Sequence, residues 1–420
     1  MSFTKRYLLT LLVTAGVTLA AMNADAVVMV QCPGDGNGNA VIDTEEALPQ
    51  AQRNQGAIAC KQLSGGDGFI RMADGKSQYT FGFSDLTGIL PGNAISAGLL
   101  NAQFSAPTLT FKEGQQAYLT LTNVGTLMRP DLFDPHTVHY HGFPQASTVY
   151  DGEPEAGVSI NAGSSLTYYY NVIEPGTYLY HCHVEAAEHM QMGMLGNLYV
   201  TPRQNELADG TVLGTYTHHT GNKYVYNDGD GSTRYDVEYP IQISSFDPVF
   251  HDLHLAVQPL PFANMKDTYP MLNGRGYPDT VDTTPSGLPP AQEKIDGGQV
   301  NANTSSQTVS SLVTATAGQK ILLRLSNVSI TNYYTVGLMG LTMKVVGTGS
   351  HILKGPDGQS TAYNTNSVTL GGGETADVLI DTTGVAPGHY FLYTTNLNFL
   401  SNNTDDFGGL MTEIVINAAL

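Results

Sequence analysis

The chain is poor in cysteine, in positive charge and in long helical patterns. These shortages limit the binding partners and the fold classes that can be expected. Only 3 cysteines occur in 420 residues, and 18 Lys and Arg oppose 37 Asp and Glu, giving a formal net charge of −19. A field of that sign repels nucleic acid and anionic lipid, so no nucleic-acid partner is expected. In place of amphipathic helical patterns, alternating runs such as 117–122 and 321–325 recur between Gly, Pro and Asn turns. They predict an all-β protein built from β-sandwiches.

The first 26 residues have the pattern of a secretory signal peptide. Lys5 and Arg6 precede an apolar stretch that ends at Ala21, and residues 24–26 (Ala-Asp-Ala) form a small-residue cleavage site. The stretch is too short for a membrane span, and no other segment is apolar enough to cross a bilayer. We therefore expect an exported protein, periplasmic or secreted, with no membrane span after signal removal.

Composition divides the rest of the chain into four segments. Residues 27–65 are rich in Gly and Asp and poor in strand pattern. Residues 66–201 are expected to form a first sandwich, which holds the clustered histidines and Cys182. Residues 202–235 are polar and turn-rich, which indicates a connector. Residues 236–420 are expected to form a second sandwich, interrupted by a long surface loop at 279–310.

A soft ligand set marks the middle of the chain. Cys182 lies between two histidines, His189 follows it by seven residues, and Met194 comes five residues later. A further histidine, His136, lies upstream. A thiolate, two imidazoles and a thioether are the ligands of a type 1 copper site, in which the thioether is a weak axial ligand. The sequence predicts His136, Cys182 and His189 in the trigonal plane and Met194 on the axis.

Two His-X-His pairs accompany this set. His139 and His141 are separated by one residue, as are His181 and His183, and positions i and i+2 of a strand share a face. Adjacent strands could therefore aim four imidazoles at one point. Because His181 and His183 flank Cys182, an electron on the thiolate has a covalent path of a few bonds to a second copper centre. A simple electron carrier has no use for this arrangement.

At these motifs the chain resembles the multicopper oxidases. Residues 136–142 and 181–194 are similar to that family's copper-binding signatures. Further stretches similar to its first and middle domains are 106–109, 151–152, 176–181, 272–278, 373–379 and 387–390. The resemblance covers roughly residues 66–420. It implies two cupredoxin-like Greek-key domains, of which the first binds type 1 copper and the second is copper-free.

The resemblance also implies roles for individual residues. His139 matches a type 2 copper ligand, and His141, His181 and His183 match type 3 ligands. Asp151 lies where the family keeps an acid near the trinuclear cluster, which could relay protons as dioxygen is reduced to water. The alternative for Asp151 is a turn aspartate before a glycine. Copper is the implied cofactor, and dioxygen and an unknown reductant are the implied reactants.

Two departures from the family pattern bear on function. The family usually places the histidine five residues after the cysteine, and here the interval is seven, so residues 184–188 contain a two-residue insertion. A full trinuclear cluster needs about eight histidines from two domains, and this chain offers four. The other six histidines are expected to be ordinary polar or turn residues: His218, His219, His251, His254, His351 and His389.

The missing half of the cluster leaves several functions open. A homo-oligomer could join the four-histidine sets of two chains, or a related partner subunit could supply the other half. Without either, the chain would be a periplasmic copper-binding or electron-transfer protein with an incomplete cluster. A copper nitrite reductase is a further alternative. Those enzymes have Asp in place of His139, no histidine directly after the cysteine, and a ligand from domain two, where residues 333–341 contain no histidine.

A second metal motif lies in the N-terminal segment. Residues 35–46 fit a twelve-residue calcium loop, although Ala40 replaces the usual glycine at position 6. The candidate ligands are Asp35, Asn37, Asn39, Val41, Asp43 and Glu46. The alternative is a flexible Asn/Gly-rich tail. Cys32 and Cys60 bracket the motif and are expected to form a disulfide in an exported protein, with ligand duty as the less favoured role.

Overall fold

The protein contains two β-sandwiches and a short-stranded segment between them. The computed structural model describes residues 28–42, 57–283, 293–296 and 299–419. The signal-peptide prediction for residues 1–26 lies outside these residues. Within them, none of the helices is long and apolar enough to span a membrane.

The first sandwich packs two four-stranded sheets around one apolar core. Its strands are β1 (Ile58–Arg71), β2 (Ser77–Asp85), β3 (Leu109–Lys112), β4 (Gln116–Gly125), β5 (His139–His141), β6 (Ser165–Asn171), β7 (Gly176–His181) and β8 (Leu195–Thr201). The strand orders are β2-β1-β4-β6 and β3-β8-β7-β5, and β1–β4 and β3–β8 are parallel pairs. The second sheet brings β5 and β7, the two strands that carry histidine pairs, side by side.

The first sandwich begins earlier than the expected boundary at residue 66. β1 starts at Ile58, and residues 58–65 pair in register with β4. This stretch lacks an apolar alternation because much of it is polar or glycine, yet Gln62 and Ser64 are buried. Pairing with β4 therefore makes it a strand without the usual pattern.

The segment 202–235 contains two short hairpins. Their strands are β9 (Val212–Leu213), β10 (Tyr216–Thr217), β11 (Lys223–Tyr224) and β12 (Arg234–Tyr235). The carboxylate of Asp228 accepts hydrogen bonds from the backbone amides of Asp230, Gly231 and Thr233, which fixes the turn between β11 and β12. The segment is polar in sequence but folded, with Tyr224 and Tyr235 buried.

The second sandwich has a larger sheet of order β14-β13-β18-β24-β20-β21, with β22 paired to β20, and a sheet of order β17-β26-β25-β19-β23. Its strands are β13 (Val237–Phe246), β14 (Tyr269–Leu272), β15 (Glu293–Asp296), β16 (Gln299–Ser305), β17 (Val313–Thr316), β18 (Lys320–Asn327), β19 (Tyr334–Leu338), β20 (Met343–Thr348), β21 (His351–Ile352), β22 (Tyr363–Thr365), β23 (Ser367–Leu370), β24 (Thr375–Asp381), β25 (Gly388–Thr394) and β26 (Met411–Asn417). The β15–β16 hairpin lies inside the interval 279–310, which was expected to be a loop.

The α-helices among the described residues are short, as the all-β prediction requires, and that fold class is confirmed. They are α1 (Pro91–Gly98), α2 (Ala186–Gln191) and α3 (Pro248–Leu255). α3 begins at Pro248, and the side chain of Asp247 caps it by accepting hydrogen bonds from the amides of Val249 and Phe250. α2 belongs to the first domain and α3 to the second, and their side chains meet at the domain interface.

A buried polar network also joins the two sandwiches. Arg324 of β18 is fully buried and donates hydrogen bonds to Glu238 and to the hydroxyl of Thr177 on β7, both at 2.8 Å. Asp377 of β24 accepts hydrogen bonds from Thr177 and from Tyr226. Because a buried charge is costly unless it is paired, this network fixes one relative position of the two domains.

Candidate copper sites

Cys182, the cysteine outside the disulfide, lies where β7 ends and faces two imidazoles. Its Sγ is 3.2 Å from Nδ1 of His189 and 3.9 Å from Nδ1 of His136, and all three residues are buried. The three ligand atoms lie within 4.8 Å of one another. One metal ion with bonds of about 2.0–2.3 Å could take all three after small adjustments, so the donor set fits copper.

Backbone hydrogen bonds close the loop that carries this site. The amide of Cys182 donates to the carbonyl of Met194, and the amide of Met194 donates to the carbonyl of His189. His136 lies in a separate loop, held by two hydrogen bonds to Ile160. Met194 is fully buried. A Cβ added at Gly65 of β1 would lie 2.9 Å from Cδ2 of His136 and 3.2 Å from Cε of Met194, so the thioether end and the imidazole share one tight space.

The charges at this site favour a thiolate. Burial raises the pKa of the Cys182 thiol, but the imidazoles of His189 and His136 outweigh it and hold the pKa well below its ordinary value. Burial lowers the pKa of His189, and the thiolate and the carboxylate of Asp134 raise it to about 10. Asp134 lies 3.7 Å from Nε2 of His189, on the side of the ring away from the sulfur. Nδ1 of His189 therefore faces the sulfur while Nε2 faces a carboxylate.

The four histidines of the two His-X-His pairs come together on the second sheet of the first domain. β5 and β7 are antiparallel, with His139 opposite His181. Nε2 of His141 lies 3.0 Å from Nε2 of His181, and the ring of His139 is 5.2 Å from that of His181 between centroids. The ring of His183 lies 4.6 Å from that of His139. The structure thus brings together all four histidines that the sequence singled out.

Three of these imidazoles are oriented by backbone carbonyl groups. Nδ1 of His139 donates to the carbonyl of Asp151 at 2.7 Å, Nδ1 of His181 to that of Cys182 at 2.8 Å, and Nδ1 of His141 to that of Gly373 at 3.2 Å. A carbonyl only accepts, so these contacts assign the proton to Nδ1 and leave the Nε2 lone pair for a metal.

Burial favours the neutral form of two imidazoles in this cluster, His141 and His181. Burial lowers the pKa of His181 to about 3, and burial followed by repulsion from His139 lowers the pKa of His141. Metal binding requires the neutral imidazole, so no proton has to leave these two residues before an ion binds. The donor set therefore fits a copper ion in both chemistry and protonation.

Asp151 lies beside the cluster, and its main contact is through the backbone. Its carbonyl oxygen accepts the hydrogen bond from His139, and its carboxylate is 3.6 Å from the same nitrogen. Burial raises the pKa of the carboxyl group. Asp151 also precedes Gly152 at the end of a short 3-10 turn, so the turn role and the position near the cluster are both present.

A cavity of about 400 Å³ lies beside the cluster, between it and part of the second domain. His141, His181 and His183 line one side with Met190, and the second domain supplies hydroxyl, amide and glycine groups on the other. These second-domain residues are Ser329, Ile330, Thr331, Asn332, Tyr333, Gly372 and Gly373. In the described part of the second domain, no imidazole lines this cavity.

Two histidines outside the motifs are more than ordinary polar residues. His254 of α3 bonds through Nε2 to Glu188 at 2.7 Å, and His251 of α3 bonds through Nε2 to the carbonyl of Gln191 at 2.9 Å. Both histidines are buried, and their partners belong to α2, which lies in the loop between Cys182 and Met194. The second domain therefore covers the loop from Cys182 to Met194, called the candidate type 1 loop below. The histidine spacing of three residues on one helix face was the signal that sequence reasoning passed over.

The other four histidines lie apart from both sites. His218 is buried against the hydroxyl of Tyr224 at 3.0 Å, and His219 pairs with Asp209 on the surface. The exposed pair of His389 with Glu413 has an N···O distance of 2.7 Å, and His351 is also exposed. None of these four belongs to the two candidate ligand groups among the described residues.

Part of the proposed calcium loop is described. The carboxylate of Asp35 accepts hydrogen bonds from the amides of Gly38, Asn39 and Ala40, and the side chains of Asn37 and Asn39 accept others within the loop. Ala40 has φ of 61°, the left-handed conformation that the usual glycine would supply. Val41 is exposed, and Asp43 and Glu46 lie outside the described residues. Calcium binding stays a prediction.

The disulfide prediction is confirmed. Cys32 and Cys60 are bonded, with 6.1 Å between their Cα atoms, so neither is free to serve as a metal ligand. The bridge ties the N-terminal segment to the start of β1. It thereby fixes the candidate calcium loop beside the first sandwich.

Comparison with known proteins gives one family. Two models described as multicopper oxidase match residues 89–205 and 264–417. A laccase from Aspergillus fumigatus is 32% identical over 118 residues, which are 27% of this chain and 18% of the laccase. The chain therefore matches less than a fifth of that relative's length.

Solved structures share the fold at low sequence identity. A blue copper oxidase from Nitrosomonas europaea has a TM-score of 0.58 and 20% identity, covering 84% of this chain and 85% of that one. A copper nitrite reductase from the same organism has a TM-score of 0.52 and 15% identity, covering 85% and 93%. At these identities the likeness shows two cupredoxin-type domains and does not distinguish the two activities.

Proposed function

Because the chain belongs to the multicopper oxidase family, we propose that it is an exported copper oxidoreductase that couples oxidation of a reductant to reduction of dioxygen. Copper bound by His136, Cys182, His189 and Met194 would accept single electrons, and copper bound by the histidine cluster would deliver them to dioxygen. The signal-peptide pattern and the Cys32–Cys60 disulfide support export to the periplasm or beyond the cell. The observation that carries the function is the position of Cys182 between the two sites.

Cys182 belongs to both sites at once. Its Sγ is part of the type 1 set, and its chain neighbours His181 and His183 are cluster imidazoles. Its carbonyl oxygen accepts the hydrogen bond from Nδ1 of His181 at 2.8 Å. An electron on the thiolate thus has a covalent path and a hydrogen-bonded path to the cluster. A protein that only carries electrons to a partner would need neither path.

Residues around the cluster have complementary tasks in this proposal. The carbonyls of Asp151, Cys182 and Gly373 orient the imidazoles, and the cavity beside them admits a small molecule such as dioxygen. The Asp151 carboxyl group, next to His139, is proposed to relay protons as water forms. Removing it should slow oxygen reduction without changing the type 1 site.

We also propose that two copies of the chain complete the cluster around a two-fold axis. The support is that the first domain holds one four-histidine half and the described second domain adds no imidazole to the cavity. A symmetric contact would place eight imidazoles at one centre. Each dimer would then hold one three-copper cluster and two type 1 coppers, or 2.5 coppers per chain. A related partner subunit is the rival source.

The test combines three measurements on one copper-loaded sample: oxygen uptake with several reductants, mass by light scattering, and copper per chain. Oxygen uptake by a dimer with 2.5 coppers per chain is expected. Full-rate uptake by a strict monomer would refute the shared cluster, although not the oxidase activity. Type 1 copper without any oxygen uptake would favour electron transfer, and nitrite consumption in its place would favour a nitrite reductase-like enzyme.

A further inference from the structure

We propose that Asp267 of the second domain supplies protons to the cavity beside the histidine cluster through a chain of hydroxyl groups. The proposal rests on the proposed reduction of dioxygen and adds a residue of the second domain that feeds it. Reduction of one dioxygen molecule to two water molecules takes four electrons from the reductant and four protons. The three oriented imidazoles of the cluster keep their Nδ1 protons on backbone carbonyls, so protons must enter the cavity from other groups.

Two hydrogen-bonded routes connect the Asp267 carboxyl group with the cavity. Oδ2 of Asp267 accepts hydrogen bonds from the hydroxyl groups of Ser245 and Thr331. The hydroxyl oxygen of Ser245 is in turn 2.8 Å from that of Ser329. Ser329 and Thr331 both line the cavity, which the cluster histidines line from the first domain. One hydroxyl group therefore separates the carboxyl group from the cavity on one route, and two hydroxyl groups separate them on the other.

The protonation state of Asp267 sets the direction of this chain. A hydroxyl group has one proton to donate, and an ionised carboxylate can only accept. When Asp267 is ionised, Ser245 donates to it and Ser329 donates to Ser245, so the chain points away from the cavity. When Asp267 is protonated, its O–H group donates to Ser245, Ser245 donates to Ser329, and the proton of Ser329 is free to point into the cavity. The chain therefore delivers a proton only when the carboxyl group holds one.

The surroundings of Asp267 favour its protonated form. Its hydrogen-bond donors are neutral: the two hydroxyl groups and the side-chain amide of Gln191, whose Nε2 lies 3.0 Å from Oδ1. Burial raises the pKa of the carboxyl group, these hydrogen bonds oppose the rise, and repulsion from Asp247 adds to it. Tyr334 faces the same carboxyl group, and burial raises the pKa of its phenol, which keeps it neutral. The preceding Lys266 is exposed.

Asp267 lies between solvent and the buried hydroxyl groups. Its side chain is half-buried, whereas 4% of Ser245 and 4% of Ser329 are exposed. In each transfer the O–H bond of Asp267 breaks, every hydroxyl group on the route accepts one proton and releases another, and an O–H bond forms on the molecule in the cavity. Solvent water then returns a proton to the carboxylate, which leaves the protein unchanged.

The first test needs no copper. The infrared difference between copper-free wild type and Asp267→Asn follows the carbonyl stretch of the protonated carboxyl group against pH. This band should titrate with a midpoint above about 3.9, the ordinary aspartate value. Thr331→Val should move the midpoint further up, because the carboxylate loses one donor. An ordinary midpoint, or one that Thr331→Val leaves unmoved, would overturn the proposal.

The second test is oxygen uptake by copper-loaded protein against pH. In wild type the rate should fall as the pH rises through the infrared midpoint, because the ionised carboxyl group has no proton to deliver. Below that midpoint, Asp267→Asn should lower uptake by about 10²-fold, the lower end of general acid catalysis, and should lose this pH dependence. Asp267→Glu should restore part of the rate. Ser245→Ala combined with Thr331→Val should match Asp267→Asn, and Thr331→Ser should be faster than Thr331→Val.

Asp252→Asn is the matched control, because Asp252 is an exposed aspartate of the same domain that pairs with Lys76. It should keep the wild-type rate and pH profile, and the type 1 absorption reports a folded first domain in every variant. Equal rates and pH profiles for wild type and Asp267→Asn would overturn this inference alone and leave water in the cavity as the proton source. A wild type that takes up no oxygen would contradict the proposed function and the relay together.

Discussion

The two candidate copper sites of this chain use the imidazole ring in opposite orientations. At the type 1 set, Nδ1 of His136 and His189 faces the sulfur of Cys182 and Nε2 points away. At the cluster, Nδ1 is held by a carbonyl and Nε2 faces inward. The first site is sealed, with 0–1% of each candidate protein ligand exposed, and the second opens into a cavity of about 400 Å³.

If both sites bind copper as proposed, this difference would separate two kinds of copper chemistry in one domain. A sealed site with four protein ligands leaves no position for an added molecule, which suits transfer of electrons alone. A half-open site with oriented nitrogens leaves room for a molecule to bind, which suits reduction of an acceptor. Substitutions that disrupt one candidate copper site and leave the other intact therefore give the clearest test of each site.

The largest effect is expected from Cys182→Ser. A hydroxyl is a poor ligand for this soft site, so the intense thiolate-to-copper absorption near the red end of the spectrum should disappear. Oxygen uptake should fall to background because the path to the cluster starts at the sulfur. Visible spectroscopy and copper analysis check this prediction. Colourless wild-type protein with full copper occupancy would show that no type 1 site exists.

Gly65→Ala should disturb the type 1 site alone. The added methyl would lie 2.9 Å from His136 and 3.2 Å from Met194, so one of them must move. We expect a shifted type 1 absorption and a loss of about 1–3 kcal/mol in the free energy of unfolding, the usual effect of overpacking. Gly92→Ala, with open space around Gly92, is the control. A spectrum identical to wild type would show that the loop absorbs the methyl group.

Glu188→Ala tests how much the contact between α3 of the second domain and α2 contributes to stability. It leaves Nε2 of His254 buried without its partner, which should lower the free energy of unfolding by about 1–3 kcal/mol. The control is Glu206→Ala, which removes a carboxylate from an exposed pair with Lys112 and should cost about 0–1 kcal/mol. Denaturant unfolding measures both. Equal decreases in the free energy of unfolding for the two variants would mean that the Glu188–His254 contact adds no more stability than an exposed ion pair.

The smallest effect on either copper site is expected from Glu46→Ala. In the predicted calcium loop this residue supplies the bidentate carboxylate, so most of the calcium affinity should disappear while both copper signals stay unchanged. Calorimetry on metal-stripped protein gives the affinity. If the wild type binds no calcium, the loop is a polar segment braced by the Cys32–Cys60 disulfide.

The sequence predicted the arrangement of candidate ligands best where those residues are close along the chain. The period of two in a strand aims His139 and His141 the same way, and β5–β7 pairing then brings them to His181. The Cys182-to-Met194 interval predicted one compact loop for the same reason, and backbone hydrogen bonds close that loop. The all-β class also followed from short alternating runs, and the structure bears it out.

Contacts made across the domain interface could not be predicted from the sequence. Gly373 lies 232 residues from His141, and His254 lies 66 residues from Glu188, so no local period links them. Their geometry depends on how two sandwiches pack, which a single chain pattern does not encode. The start of β1 at Ile58 was missed for a related reason, because pairing with β4 makes it a strand.

The cover over the candidate type 1 loop has a consequence for electron exchange with a donor. No atom of His189 reaches solvent, and the ring of Phe81 stands edge-on between it and His254, with centroids 5.6 Å and 4.9 Å away. A donor outside the protein would thus exchange electrons by tunnelling across packed side chains, without touching a copper ligand.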